Sequence, residues 1–248
     1  MSRHVLRAEW TKLRTVPETV WLVLAVVALT VATSVATMAA TACSAGGCAI
    51  DMAKTSLTGV GLGQAVVAIL AVVAVGGEYS NGMVRVTLAA MPRRIAVLAA
   101  KTAVVTAAVV AAATVAVPAC LFAGRLMLPS LSLADGPVLR AAAGSVLYLG
   151  LIGLLGVGTA TAVRDSATAM GIVLGLLYVF PIIAQAVSDP ELRRHLLQLA
   201  PMSAGLAVQA TTHLDSLPIG PWKGLGVLAA WAAAALLLGG LRLRLRDA

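Results

Sequence analysis

Six apolar runs, at 21–42, 57–77, 96–123, 141–163, 167–187 and 222–241, divide the chain, and each is nearly free of charge. A helix needs about 20 apolar residues to cross the ~30 Å hydrocarbon layer of a bilayer. Five runs reach that length directly, and the sixth reaches it when Pro221 and Trp222 begin it at the interface. Ala, Val, Leu and Gly fill the runs, which suits helices packed through small faces. No alternation of period two is present, so an outer-membrane barrel is a poor fit. The pattern predicts an all-α, polytopic membrane protein with six transmembrane helices.

Composition agrees with that solvent. Of the 248 residues only 11% are charged and 60% are hydrophobic, whereas a soluble domain carries about 25% charged residues. The net charge of +8 raises the question of nucleic acid, because a basic protein concentrates polyanions. The cations are scattered between apolar runs, and Tyr and Phe are too few for a base-stacking surface, so no nucleic-acid partner is expected and membrane lipid is. Topology accounts for the charge. With both termini cytoplasmic, Arg3, Arg7, Lys12, Arg14, Arg85, Arg93, Arg94, Lys101, Arg164, Arg242, Arg244 and Arg246 lie inside, twelve of the eighteen Lys and Arg, while Lys54, Arg125, Arg140, Arg193, Arg194 and Lys223 lie outside. That twofold excess follows the positive-inside rule. A secretory signal ending at Ala40-Thr41-Ala42 before Cys43 is disfavoured, since its apolar run is too long and five spans follow it.

Residues 1–18 precede the first span. Val5, Leu6, Trp10 and Leu13 recur at spacings of three or four among Arg3, Arg7, Lys12 and Arg14, which predicts an amphipathic helix on the cytoplasmic surface with Trp10 at headgroup depth. The alternative is a basic tail that holds the first span in register. On the other face, residues 43–56 contain Lys54-Thr55-Ser56 after a glycine pair, but Ala53 and Cys48 occupy the positions where a phosphate-binding loop requires glycine. Cys43 and Cys48 are spaced to allow a disulfide on an oxidising face, with two free small side chains as the other reading. Cys120, inside an apolar run, is expected to serve packing.

Residues 188–220 form the longest exterior connection. Pro190-Glu191 opens a helix there, with Leu192, Leu196 and Leu199 on one face, lying at the outer interface or dipping into the bilayer. His195 and His213 have no metal-ligand spacing, and Asp189 and Asp215 read as loop charges. No nucleophile elbow, zinc-protease motif or paired carboxylate is present, so enzymatic chemistry, a metal and a cofactor within this chain are not expected.

The connector 76–94 reads GGEYSNGMVRVTLAAMPRR. Gly76 and Gly77 permit a turn or a close approach at the end of the second span, and Gly82 does so again. Glu78 and Arg85 are seven apart, two helical turns, while Met83, Val86, Thr87 and Ala90 supply a less polar side. Pro92 stops the segment, and Arg93-Arg94 sit where the third span enters lipid. Solvated loop charges are the plain alternative to a working site.

Taken together, LRAEWTKLRT at the N-terminus, SLTGVGLGQ at 56–64, GEYSNGMVRVTLAAMPRRIAVLAAK at 77–101, LAPMSAGLAVQATT at 199–212 and the LRLRLRDA terminus resemble the membrane subunit of type-2 ABC exporters in its actinobacterial form. The resemblance implies a six-span permease of the bacterial cytoplasmic membrane, working with a second permease copy or a paralogue and driven by a separate ABC ATP-binding subunit that holds ATP and Mg. It further implies that residues 3–16 and the loop 78–94 contact that ATPase, which puts Arg7, Trp10, Lys12, Glu78, Tyr79, Arg85, Arg93 and Arg94 forward as coupling residues. The expected activity is export of a small lipophilic or amphipathic compound. A structural or sensory membrane partner is the main alternative. A secondary transporter is less well served, since only Pro118 and Pro181 conspicuously interrupt the spans.

Overall fold

A computed structural model describes residues 10–12, 15, 17–41, 51–80, 82–83, 94–127 and 131–245. Among them there is no strand, and six helical segments are long and apolar enough to cross a membrane. These are α1 (Pro17–Ala40), α3 (Val60–Ser80), α4 (Arg94–Met127), α5 (Gly136–Val163), the α6–α7 pair (Ser166–Leu174 and Phe180–Ala186) and α10 (Pro221–Leu245). Between them lie the short α2 (Met52–Ser56), then α8 (Pro190–Leu199) and α9 (Pro201–Leu206).

The bounds differ from the apolar runs for identifiable reasons. The third span is 34 residues long and keeps Pro118 inside it, so α4 covers about 51 Å, well beyond the hydrocarbon layer. The sixth continues to Leu245 because Arg242 and Arg244 are favourable in the last turn, where cations meet the negative end of the helix. The fifth changes pitch at Gly175–Val179, a π-helical turn in which the Phe180 N–H reaches the Gly175 carbonyl. Pro181 follows at the start of α7; its ring has no N–H to continue a regular ladder, and the wider turn accommodates that.

The helix α5 occupies the centre, packed against α3, α4, α6 and α10. Its core face carries Tyr148, Leu149, Ile152 and Val157, all fully buried. Close approach depends on glycine: a Cβ on Gly158 would lie 2.6 Å from backbone atoms of Ala235 and Leu236 in α10, so only a hydrogen there lets the two helices meet. Several polar groups in this core pair with one another, although among the described residues Gln64 Nε2 is buried without a hydrogen-bond partner. The Tyr148 hydroxyl donates to Gln64 Oε1, Tyr178 donates to the Gly61 carbonyl at 2.5 Å, and Gln209 Nε2 donates to Ser145 Oγ at 3.1 Å. Cys120 is buried and its thiol donates to the Thr30 carbonyl at 3.7 Å, the packing role expected of it.

The connection at 188–220 is helical where Pro190-Glu191 predicted. Asp189, which the sequence presents as a loop charge, caps α8 by accepting from the Glu191 and Leu192 N–H groups at 2.9 and 3.3 Å. Leu192 and Leu199 remain exposed. Trp231, ten residues into α10, donates its indole N–H to the Leu199 carbonyl at 3.0 Å, which sets the α8–α9 junction about 15 Å along α10 from its first residue. His195 is exposed, and His213, at φ 52°, precedes a single 3-10 turn. Among the described residues no three His, Cys, Asp or Glu side chains gather as a metal site.

Candidate functional site

The second span does not end at its glycine pair. α3 runs through Gly76 and Gly77 to Ser80, so Glu78 and Tyr79 belong to the last turn of a membrane helix rather than to a loop. Gly76 has the reason for being glycine: a Cβ there would lie 2.3 Å from Ser166 Oγ, and its absence lets the end of α3 meet the start of α6. Gly77 faces open space, and Gly82, at φ 67°, makes the turn that follows.

This placement aims Glu78 at two lysines from different parts of the chain. Lys101, two helical turns into α4 from Arg94, brings Nζ to 2.6 Å from Glu78 Oε2. Lys12, from the N-terminal segment, brings Nζ to 3.1 Å from Oε1. Side-chain exposure is 8% for Lys101, 14% for Glu78 and 34% for Lys12, so the pairing grades from an enclosed ion pair to one open to solvent. An enclosed lysine requires a counter-charge, since desolvation of an isolated ammonium costs several kcal/mol. The glutamate supplies it and keeps a second oxygen for Lys12.

Around this triad the helix ends are drawn together by arginines. Tyr79 presents its ring to the Arg164 guanidinium, 5.9 Å from carbon to centroid, within cation–π range. Arg164 itself caps α5 in the left-handed region at φ 64° and donates Nη2 to the Arg242 carbonyl at 3.1 Å. Arg242 donates back to the Ala162 carbonyl at 2.6 Å, and Arg94 donates to the Leu243 carbonyl at 3.0 Å. The orphan carbonyls at the end of α10 are thus met by cations, the favourable polarity for a helix C-terminus. Beside them Asp165 caps α6 by accepting from the Thr168 N–H at 2.7 Å; hydrogen bonds from the Thr168 side chain and backbone hold its carboxyl below the usual range.

Of the residues that the sequence put forward, Lys12, Glu78, Tyr79 and Arg94 therefore fall on one face of the bundle, with Glu78 and Lys12 in direct contact. Trp10 is half exposed and lines a separate apolar groove with Val20, Leu24 and Ala111. Arg7, Arg85, Arg93, Cys43 and Cys48 lie outside the described residues. Two contributors escaped attention as site residues. Lys101 reads from its position as an inside cation, yet a lysine inside an otherwise apolar helix is itself a signal that a partner exists. Arg164 likewise stands in the sequence only as an inside cation.

No protein-family model matches the chain, and no curated protein matches it significantly. The site therefore stands on its own geometry: among the described residues, an acidic side chain on α3 joins that helix to the N-terminal segment and to α4.

Proposed function

We propose that this chain is the permease subunit of an ATP-driven ABC exporter in the bacterial cytoplasmic membrane, moving a small lipophilic or amphipathic compound outward through a paired membrane domain. The observation that carries this reading is the Lys12–Glu78–Lys101 triad. It fastens the N-terminal segment to the ends of α3 and α4, and these are the pieces that the resemblance at 77–101 assigns to contact with a separate ATPase. ATP binding closes the partner subunits, which press on residues 3–16 and 78–94. Because Glu78 holds both segments to α4, the push reaches the bundle at one point and biases it between inward-open and outward-open states. ATP and Mg belong to the partner, and export rather than import follows from the resemblance.

The test is reconstitution in liposomes with a candidate ABC-type ATP-binding subunit. ATP-dependent efflux and substrate-stimulated hydrolysis are expected. Lys12→Ala, whose side chain is 34% exposed, and Arg85→Ala should lower efflux per ATP hydrolysed, with the thermal stability of Lys12→Ala near wild type. Unchanged efflux and unchanged complex assembly in both variants would end the coupling role, and transport driven by an ion gradient without ATP would overturn the exporter itself.

A further inference from the structure

On the side of the bundle where α4, α5 and α10 meet, the helices do not close completely. A groove of ≈ 500 Å³ runs between them, lined by Ile95, Leu98, Ala103, Thr106, Leu154 and Leu236. It is open sideways and almost wholly apolar, so its natural occupant is hydrocarbon. Along α4 the lining extends from residue 95 to residue 106, about 16 Å at the helical rise, which is one leaflet of a ~30 Å hydrocarbon layer.

The foot of the groove is cationic. On α10 the residues below Leu236 at intervals of four are Gly240 and Arg244; at about 100° per residue Arg244 comes about 80° round the helix from Leu236, on the flank of the groove's end. Gly240 adds no bulk there: a Cβ would only graze Leu98 and Ile95 at 3.9 and 4.0 Å. Arg244 is exposed. Across from it, Arg94 immediately precedes Ile95, and its guanidinium is held at this level by the Leu243 carbonyl, 3.0 Å away. Chain position thus puts two arginines, one on each of two helices, at the level where the apolar slot ends, a slot as long as one leaflet is deep. The helix ends have already oriented one of them, so part of the entropic cost of binding is met in advance.

We infer that this groove is a binding site for one anionic phospholipid, with an acyl chain along Ile95–Thr106 and the headgroup phosphate at Arg94 and Arg244. Charge complementarity selects this occupant over a zwitterionic lipid and over a second copy of this chain, whose own surface here would bring like charges together. Planar guanidinium groups suit phosphate oxygens. The site does not depend on the transport reading, because it requires only that the bundle lie in a bilayer.

Native mass spectrometry of the purified full-length chain, titrated with dioleoyl-phosphatidylglycerol or dioleoyl-phosphatidylcholine, tests it. One phosphatidylglycerol per chain should be retained preferentially. Arg244→Gln should weaken that retention about fivefold, the factor expected for one cation at a membrane surface, and Ala103→Phe, which fills the slot, should abolish the preference with the headgroup cations intact. Thr106→Val, which removes a hydroxyl deep in the slot, should bind no more weakly than wild type. Equal retention of both lipids by wild type, or an undiminished preference in Arg244→Gln and Ala103→Phe, would show ordinary annular lipid and overturn the site. Loss of phosphatidylglycerol in Thr106→Val would also overturn it, because it would place a polar ligand group where an acyl chain is assigned.

Discussion

Lys101 shows how strongly one residue constrains its neighbours in this chain. Its ammonium is almost enclosed, and the Glu78 carboxylate at 2.6 Å is the counter-charge that makes that position tolerable. Removing one partner of such a pair leaves the other desolvated, which costs about 3–5 kcal/mol in buried cases, whereas removing both is far cheaper. Lys101→Met should therefore destabilise by about 3 kcal/mol, discounted to the lower end because Lys12 still balances Glu78 from solvent. Glu78→Gln should cost a similar amount, since Lys101 then faces a neutral amide where the carboxylate stood. The Lys101→Met/Glu78→Gln double variant should lose clearly less than the sum. Thermal unfolding of the purified protein in one detergent measures all three; simple additivity would mean that the pair is not energetically coupled.

At the scale of elements, the face opposite Glu78 is fastened by one carboxylate. Asp51 caps α2, accepting from the Lys54 N–H at 3.0 Å, and reaches across 160 residues to accept from the Thr211 hydroxyl and N–H, both at 2.6 Å, and from the Thr212 N–H at 3.1 Å. Burial disfavours its charge, but these hydrogen bonds outweigh that and hold the carboxyl below the usual range. A carboxylate with a lowered folded pKa contributes stability that is complete above its unfolded value, about 4, and is lost as pH falls through the folded one. Acidification from pH 7 to about 3 should thus destabilise the protein and speed hydrogen exchange at the Thr211 and Thr212 amides, and Asp51→Asn should flatten that acid response while costing about 1–2 kcal/mol at neutral pH. An identical acid response in Asp51→Asn would assign it to other carboxylates. The contrast with the spans explains what a reader of the sequence can see. Run length alone places α1, α3, α4 and α5, and Pro190-Glu191 places the start of α8, because each signal is local. The continuation of α3 through Gly76-Gly77 is invisible locally, since a glycine pair ordinarily weakens a helix; what requires glycine at position 76 is the close approach of Ser166 in another span. The bonds from Asp51 to Thr211 and from Glu78 to Lys101 likewise join segments whose spacing carries no motif.

For the whole molecule, the two ends of the bundle differ in how their cations are held. The end with Glu78 gathers Lys12, Arg94, Lys101, Arg164, Arg242 and Arg244, and the other carries Lys54, Arg125, Arg140, Arg193, Arg194 and Lys223. These described sets are equal in number, so the twofold bias in the sequence comes from Arg3, Arg7, Arg14, Arg85, Arg93 and Arg246, which adjoin the Glu78 end in the chain. Short basic flanks near span ends are the charges that orient a membrane protein during insertion, and an even number of spans returns the C-terminus to the side on which the N-terminus starts. The Glu78 end should accordingly face the cytoplasm. Cysteine labelling decides this: in a Cys43→Ser/Cys48→Ser background that keeps only the buried Cys120, Ser216→Cys, exposed at the opposite end, should react with a membrane-impermeant maleimide in intact cells. Asp165→Cys at the Glu78 end should react only after permeabilisation. The reverse pattern would turn the molecule over, placing the triad outside the cell and beyond the reach of any cytoplasmic ATPase, so this one measurement bears on the orientation and on the proposed coupling together.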